Sequence, residues 1–187
     1  MKWEKYFILF VMSVLVLHVS LFSIEDEYYR KAALFRVFSQ YIRWPENSGM
    51  NDRSKPFVIG VIGENPFGSI LEKAYSQMEY KIKNKHVEIR FIEKIGDEDL
   101  ESCNILFLSA AVKNELEDIL TITSKKPILT IAETKGFTEK GVLFNLYVCK
   151  NKFCFEINAL ALRESRLIVD SQVLSAARII DAPGYLK

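Results

Sequence analysis

The sequence predicts an α/β fold, with a mostly parallel sheet flanked by helices on both faces and a C-terminal antiparallel hairpin at the sheet edge. Three observations support this prediction. Short, continuous apolar runs, typical of strands buried on both faces, recur along the chain. Segments with the helical spacing of apolar residues separate these runs. Near the C-terminus, two apolar runs flank a short polar turn, a pattern typical of a hairpin.

The first half of the chain predicts two helices and two strands. Residues 25–43 place apolar side chains on one helical face, and Trp44-Pro45 ends this helix because proline lacks a backbone donor. A polar loop follows over residues 46–54. The other predicted elements are a buried strand over residues 57–62, a turn over 63–68, a helix over 67–76 and a strand over 87–92.

The second half continues the alternation and adds the hairpin. The predicted elements are a strand over residues 105–108, a helix over 112–123, a strand over 128–131, hairpin strands within 142–148 and 155–157, and helices over 159–164 and 171–180. No internal repeat, low-complexity stretch or second linker interrupts this pattern. We therefore expect residues 24–187 to form one domain.

The N-terminus has the features of a secretory signal peptide, which we predict over residues 1–23. Lys2 and Lys5 precede an almost purely apolar run over residues 6–22, and acidic residues follow directly. This run is at the short end of the ~17–25 residues that a membrane-spanning helix requires. Cleavage is expected near Ser23, with a retained membrane anchor as the alternative. The sequence thus predicts export.

The charge balance argues against nucleic-acid binding. Leaving out residues 1–23, which hold two lysines and one glutamate, leaves 23 basic and 23 acidic side chains. A nucleic-acid-binding protein normally carries a basic excess on one face. Lys81, Lys83 and Lys85 form the nearest basic run, and their alternation with other residues predicts a solvated turn leading into a strand.

Export changes the interpretation of the cysteines, because nearby cysteines tend to form disulfides in an oxidising compartment. Cys149 and Cys154 lie at the inner ends of the two hairpin runs. With Asn151-Lys152 as the turn, the two cysteines would form a non-hydrogen-bonded pair, in which opposed side chains come closest. We therefore expect a disulfide between them. Cys103 lies beside a buried apolar run and is expected to be an inert core thiol.

The sequence contains no recognisable active site, and we expect no cofactor and no bound metal. His86 is the sole histidine after the predicted signal peptide, so a serine or cysteine nucleophile lacks an evident base. The turn over residues 63–68 lacks the spacing of a dinucleotide-binding or phosphate-binding loop. Acidic clusters over residues 97–101 and 115–118 are typical of charged helix surfaces. These features favour a binding protein over an enzyme.

Several segments, taken in order, match a known pattern. They are Lys31-Ala-Ala-Leu-Phe35 with Phe38, Ile42 and Trp44-Pro45; Ile59-Gly-Val-Ile-Gly63 with Pro66-Phe67-Gly68; Cys103-Asn-Ile-Leu-Phe-Leu; Pro127-Ile-Leu-Thr130 with Gly136-Phe137; Phe155-Glu-Ile-Asn158; and Leu167 with Ser171-Gln-Val-Leu-Ser-Ala-Ala-Arg-Ile179. Most of these residues are core or turn positions, so the order and spacing carry the match. The pattern, which covers about residues 28–180, resembles the YfiR family.

This resemblance implies a periplasmic regulator that binds the periplasmic sensor region of an inner-membrane diguanylate cyclase and restrains it. Loss of that restraint would raise cyclic di-GMP and promote biofilm formation. The resemblance also implies a homodimer and folding supported by a disulfide. With three cysteines, the chain cannot form a second intramolecular disulfide, so redox control through two bridges is not expected.

We expect the partner or dimer interface near the first helix. Its aromatic residues outnumber what one core face requires, and aromatic residues are enriched at interfaces. The predicted interface residues are Tyr28, Phe35, Phe38, Tyr41 and Trp44. The alternative is that all of them belong to the core.

A periplasmic small-ligand sensor or solute-binding module is the alternative function. Open α/β sheets bind ligands in a crevice at the carboxyl ends of their strands. Here the turn over residues 63–68 and the segment 130–133 would line such a crevice. A hydrolase ranks last, because no nucleophile and base are recognisable together.

Overall fold

A seven-stranded sheet forms the centre of the protein, with helices on both of its faces. The computed structural model describes residues 24–77, 80–149 and 152–180, and the predicted signal peptide lies outside this part of the chain. The helices are α1 (Ile24–Tyr41), α2 (Ile70–Glu72), α3 (Asp97–Glu101), α4 (Leu116–Thr123), α5 (Ala159–Ser165) and α6 (Ser171–Ala176). The strands are β1 (Ile42–Arg43), β2 (Phe57–Ile62), β3 (Val87–Ile92), β4 (Ile105–Leu108), β5 (Leu129–Ala132), β6 (Phe144–Cys149), β7 (Lys152–Asn158), β8 (Ile168–Val169) and β9 (Arg178–Ile180). A wider π-type turn, Lys73–Gln77, prolongs α2, and 3₁₀ turns occupy Glu46–Ser48 and Ala110–Asn114.

The strand order of the large sheet is β3-β2-β4-β5-β6-β7-β9. Strands β2 to β6 are mutually parallel, β7 runs antiparallel to β6, and β9 runs parallel to β7. The chain starts at β2, moves outward to β3 and then returns to β4, so the strand order reverses between β2 and β4. This arrangement confirms the predicted α/β fold class, and it is the doubly wound topology in which ligands often bind at the point of reversal.

Successive residues of the parallel strands alternate between two hydrophobic cores, one on each face of the sheet. On one face, which we call the α1 face, Ile59, Phe107 and Ile131 pack with α1, α2 and α6. On the other, the α4 face, Leu106 and Ala132 pack with α3 and α4. All residues of β2, β4 and β5 are buried. Burial on both faces explains why these strands are continuous apolar runs rather than alternating ones.

On the α4 face, Gly60 of β2 leaves room for the side chain of Cys103. A Cβ atom built at Gly60 would lie 2.5 Å from the Cys103 sulfur and 3.1 Å from a methyl carbon of Leu106. The thiol of Cys103 is buried and donates to the Asp99 carbonyl oxygen at 3.3 Å. Burial raises the pKa of Cys103 to about 12, so the thiol stays protonated and unreactive.

The C-terminal part of the predicted helix over residues 171–180 is a strand. Helix α6 ends at Ala176, and β9 pairs in parallel with Glu156–Asn158 of β7. The helical prediction was wrong there because the open edge of β7 offers backbone partners that local periodicity does not reveal. The hairpin strand β7 thus lies next to the sheet edge, and β9 is the outermost strand.

The first helix ends two residues earlier than its apolar spacing predicted. Ile42 and Arg43 leave the helix and pair with Val169 and Ile168, which forms a separate two-stranded antiparallel sheet. The side chain of Ile42 is fully buried in the α1-face core. A buried side chain at this position satisfies both a helical and a strand pattern, so the sequence did not distinguish the two.

The register of the β6–β7 hairpin differs from the predicted register by two residues. Cys149 pairs with Lys152 and Tyr147 pairs with Cys154, whereas the prediction placed Cys149 opposite Cys154. A shift of two residues keeps every side chain on its predicted face, because strand side chains alternate with period two. The cysteines are therefore diagonal neighbours on one face, with Cα atoms 5.8 Å apart, and a disulfide joins them.

No helix within the described residues combines the length and the apolar character that a membrane span requires.

Substituting Gly60 by alanine should lower the free energy of unfolding by about 1–3 kcal/mol, because the new methyl group overpacks the core around Cys103. Chemical denaturation of the single variant and of Gly60→Ala/Cys103→Ala would measure this. Cys103→Ala removes the sulfur that the methyl group meets, so the double variant should recover part of the loss. Strictly additive losses would contradict the close approach.

Candidate partner-binding surface

Helix α1 crosses one face of the sheet, and its inward side contains two of the predicted interface residues. Phe35 and Phe38 are 0% and 2% exposed. The Phe38 ring centroid lies 5.1 Å from those of Phe144 and Phe155, which belong to β6 and β7. Both side chains belong to the hydrophobic core and present almost no surface of their own, and their contribution to an interface stays a prediction. Their spacing of three places them on the same helical face.

The other three predicted interface residues lie at the ends of α1. Tyr28 is half-buried, and its ring centroid lies 5.2 Å from that of Phe67. Trp44 is also half-buried and packs edge-on against Phe57, with ring centroids 5.6 Å apart. Tyr41 is 38% exposed. Tyr41 is thus the predicted residue with the most surface left for a partner.

An ion pair fixes the N-terminal half of α1 to the carboxyl edge of the sheet. The Lys31 ammonium, which is almost fully buried, contacts the carboxylates of Glu133 and Glu27. Glu133 follows directly after β5, and it also accepts a hydrogen bond of 2.9 Å from the Tyr28 hydroxyl. Burial and this hydrogen bond raise the pKa of Tyr28 above its ordinary range. A charge buried in this way is stable only while its partners remain in place.

Two segments that the sequence predicted to line a carboxyl-edge crevice make close contacts within the fold. A Cβ atom at Gly63 would lie 2.5 Å from the Ser109 hydroxyl oxygen and 2.8 Å from a methyl carbon of Val112. The loops after β2 and β4 are therefore in contact at the point where the strand order reverses. Glu133 is already bound by α1, and the Thr130 hydroxyl accepts a hydrogen bond from the Leu143 amide. Much of the predicted lining is thus engaged in contacts within the protein.

A second tether holds the middle of α1. The Tyr75 hydroxyl, from the turn that prolongs α2, donates to the carbonyl oxygen of Ala32 at 2.5 Å. Burial raises the pKa of Tyr75 well above its ordinary value of 10.0. This bond and the Lys31–Glu133 pair fix the rotation of α1 about its axis, and hence which of its side chains point outward.

The outward side of α1 and the segment around α2 enclose an open apolar groove, which we call the α1 groove. It has a volume of about 500 Å³ and is lined by Tyr29, Ala33, Arg36, Val37, Gln40, Ala74, Tyr75 and Tyr80. Tyr29, Val37 and Tyr80 are 38%, 42% and 42% exposed. The Arg36 guanidinium lies over the Tyr80 ring, 5.1 Å from its centroid. Exposed aromatic side chains beside an arginine are the typical composition of interface anchors.

The sequence contained a signal for this groove that the predicted interface did not use. Tyr29, Ala33 and Val37 recur every four residues and so follow one stripe along α1, separate from that of Phe35 and Phe38. An apolar stripe beside a complete core stripe indicates a second packing surface. The contribution of Tyr80 could not be predicted, because it depends on how the chain returns after α2.

The hairpin extends beyond the rest of the sheet as a short arm. Strand β5 pairs with β6 only as far as Asn145, so residues 146–149 and 152–155, the hairpin arm, pair with each other. Val148 is 55% exposed on one side of the arm, and the partly buried disulfide lies on the other. The disulfide thus stabilises the part of the sheet that has the fewest strand neighbours.

Raising the pH above about 10 should destabilise the protein, and Tyr75→Phe should weaken this dependence. Tyr75 ionises near 10.0 in the unfolded chain and at higher pH in the folded protein. Between the two pKa values the unfolded state therefore releases a proton that the folded state keeps, which costs up to ~1.4 kcal/mol of stability per pH unit. Urea denaturation between pH 8 and pH 11 would compare the slopes. Equal slopes for wild type and variant would contradict the assignment.

At pH 8, Tyr75→Phe should cost about 1 kcal/mol or slightly more, since it leaves the buried Ala32 carbonyl without its donor. This loss of stability at pH 8 is independent of the change in pH dependence.

Replacing both bonded cysteines by serine should lower the free energy of unfolding by about 2 kcal/mol, the entropy expected for a cross-link over so short a loop. Thermal unfolding with and without a reducing agent would measure the loss. The reducing agent should lower the melting temperature of the wild type to that of the variant and leave the variant unchanged. An equal effect on both proteins would show that the bond contributes nothing.

Most of the described fold lies within the segment that the sequence comparison covers. A family model described as YfiR/HmsC-like matches residues 28–178, which is well over half of the chain. The match begins at Tyr28, in the anchor of α1, and ends at Arg178, in β9. It also confirms the resemblance drawn from the ordered motifs. The chain therefore belongs to the YfiR/HmsC-like family.

Proposed function

We propose that the protein is a periplasmic regulator that binds the periplasmic sensor region of an inner-membrane diguanylate cyclase and restrains it. Restraint would lower cyclic di-GMP and biofilm formation. Membership of a regulatory, periplasmic family supports this proposal, and so does the charge-then-apolar N-terminus expected of an exported protein. The chemistry of the fold agrees, because its one buried thiol is unreactive and its sole mature histidine lies exposed before β3.

Such a regulator acts through binding energy alone. It suppresses the cyclase by preferring the inactive state of the sensor, and ~5.5 kcal/mol of preference moves an equilibrium from 99:1 to 1:99. A difference of this size requires a surface with several anchor residues in contact at once.

The α1 groove is the surface that best meets this requirement, and its exposed side chains are the observation that carries the proposal. Tyr29, Val37 and Tyr80 offer apolar area that the core does not use. Arg36 is held over Tyr80 and adds a charge that pairs with a carboxylate on a partner. The two tethers of α1 keep the groove in one shape before binding, which reduces the ordering cost of association.

Tyr41 lies one helical turn beyond Val37 and extends the same surface. The family resemblance also implies a homodimer, which stays a prediction. A dimer that used the α1 groove would compete with the cyclase for it. Sedimentation of the purified protein would test whether a dimer forms.

Charge substitutions in the α1 groove should release the cyclase. Deleting the gene should raise cellular cyclic di-GMP, and wild-type protein should restore the basal level. Complementation with Tyr80→Asp or Val37→Asp should fail, because a carboxylate in the apolar groove removes contacts and must be desolvated on binding. Mass spectrometry of extracted nucleotides would measure the level, with immunoblots to establish equal amounts of protein.

Phe91→Asp is the matched control, since Phe91 is 42% exposed, as Tyr80 is, but lies on β3. It should complement like the wild type. Val148→Asp, measured in the same assay, would show whether the hairpin arm also contributes to restraint of the cyclase. An unchanged cyclic di-GMP level after deletion, in a strain where the cyclase is expressed, would overturn the proposed function. Complementation by both groove variants would overturn only the groove assignment.

A small-ligand sensor remains the second candidate function. The observation that favours it is a polar cavity at the amino edge of the sheet, opposite the predicted crevice.

A further inference from the structure

We propose that a cavity at the amino edge of the sheet binds a small oxyanion, that is, a phosphate or a carboxylate compound. This amino-edge cavity has a volume of about 290 Å³ and lies where β2, β4 and β5 begin. Its polar walls are formed by Ser48, Lys55, Lys85, Arg90, Ser102 and Asn104. The inference does not depend on a cyclase partner.

The main support for this site is the buried side chain of Lys85. The residue is only 3% exposed, although the alternating lysines around it had predicted a solvated turn. Its ammonium donates hydrogen bonds to the carbonyl oxygens of Asp52 and Lys55, the latter at 3.0 Å. An ammonium has three donors, so one remains after these two bonds.

The Lys85 ammonium has no carboxylate in direct contact within the described part of the chain. Among the described residues, no carboxylate forms an ion pair with it. The nearest acidic residue along the loop, Asp52, accepts hydrogen bonds from the amide and hydroxyl of Ser54 at 3.0 and 2.6 Å. Its carboxylate attracts Lys85 and Lys55 only over a longer distance. Burying a cation without a counter-charge is costly. An anion in the cavity would supply the direct counter-charge that Lys85 lacks.

The local backbone is bent so that Lys85 points inward. Lys83 and Asn84 have φ values of 53° and 61°, and reciprocal backbone hydrogen bonds join Ile82 and Lys85 across them. Positive φ at both central positions is the geometry of a type I′ turn, which lysine rarely adopts. The flanking residues Ile82 and Lys85 are both buried. The turn thus holds an unusual conformation while it presents a lysine to the cavity.

Arg90 is a second cationic side chain in the lining, and Glu88 balances its charge. Its guanidinium donates to the Glu88 carboxylate and to the Ser102 hydroxyl, each at 2.5 Å. Lys55 is exposed and lies at the rim. The acidic residue in the lining, Glu101, is paired with Lys126. Lys85 and Lys55 therefore leave an excess of positive charge around the cavity.

The volume of the cavity and the side chains that line it restrict the class of ligand that fits. A volume of 290 Å³ is close to the lower end of small-molecule sites, which span ~300–1,000 Å³. Pro56, Val58 and Ile128 form an apolar side of the cavity. This combination suits a compact anion with few carbon atoms, in which the phosphate or carboxylate group meets Lys85 and Arg90.

The experiment is a calorimetric titration of the purified protein with pyrophosphate and, separately, with citrate, at constant ionic strength. We expect saturable binding of at least one probe, which distinguishes a phosphate site from a carboxylate site. Lys85→Met should weaken binding by at least tenfold, the usual effect of losing a charge-assisted hydrogen bond. Lys113→Met, a change of the same type at an exposed residue after β4, should bind like the wild type.

Lys85 also ties the loop at Asp52 and Lys55, so its variant is compared with the wild type by circular dichroism. If Lys85→Met does not fold, Arg90→Gln takes its place, since Arg90 is only partly buried, and binding should again weaken severalfold. Equal affinities for wild type and a folded Lys85→Met or Arg90→Gln variant would overturn the proposal. So would the absence of binding for both probes.

Discussion

A lysine ammonium that is buried beside a sheet must keep its carboxylate partners, because breaking a buried pair typically costs ~3–5 kcal/mol. In this protein the constraint falls on Lys31, which joins α1 to Glu133 at the end of β5 and to Glu27 one turn earlier. The pair fixes where α1 crosses the sheet, and the Tyr75 hydroxyl fixes its rotation. The division of α1 into a core side and an outward side follows from these two contacts.

That division decides which aromatic residues are available to a partner. Phe35 and Phe38 complete a core shared with β4, β6 and β7, whereas Tyr29 and Val37 line an open groove with Tyr80. The Lys31–Glu133 pair also occupies part of the carboxyl edge of the sheet, where a doubly wound fold would ordinarily bind its ligand. Open polar space is found instead at the amino edge. The α1 groove and the amino-edge cavity are therefore the two surfaces that we propose for binding.

The fold was predictable from the sequence where burial imposes a pattern. The apolar runs of β2 and β4 were recognised because both faces of these strands are covered. The pairs β1–β8 and β7–β9 involve only two or three residues each, so their formation depends on distant partners rather than on periodicity. The groove could be predicted in part, since Tyr29 and Val37 share a stripe. The buried position of Lys85 could not, because a type I′ turn without glycine has little sequence signature.

The short strand β9 has a further consequence for how the protein behaves in cells. It covers the backbone of β7, which would otherwise be a longer open edge, and it carries exposed Arg178 beside exposed Ile179. Short, charged edge strands discourage sheets of separate molecules from joining. A truncation or a bulky C-terminal fusion that pulls β9 away would expose β7 and promote aggregation. The C-terminal segment thus contributes to solubility as well as to the fold.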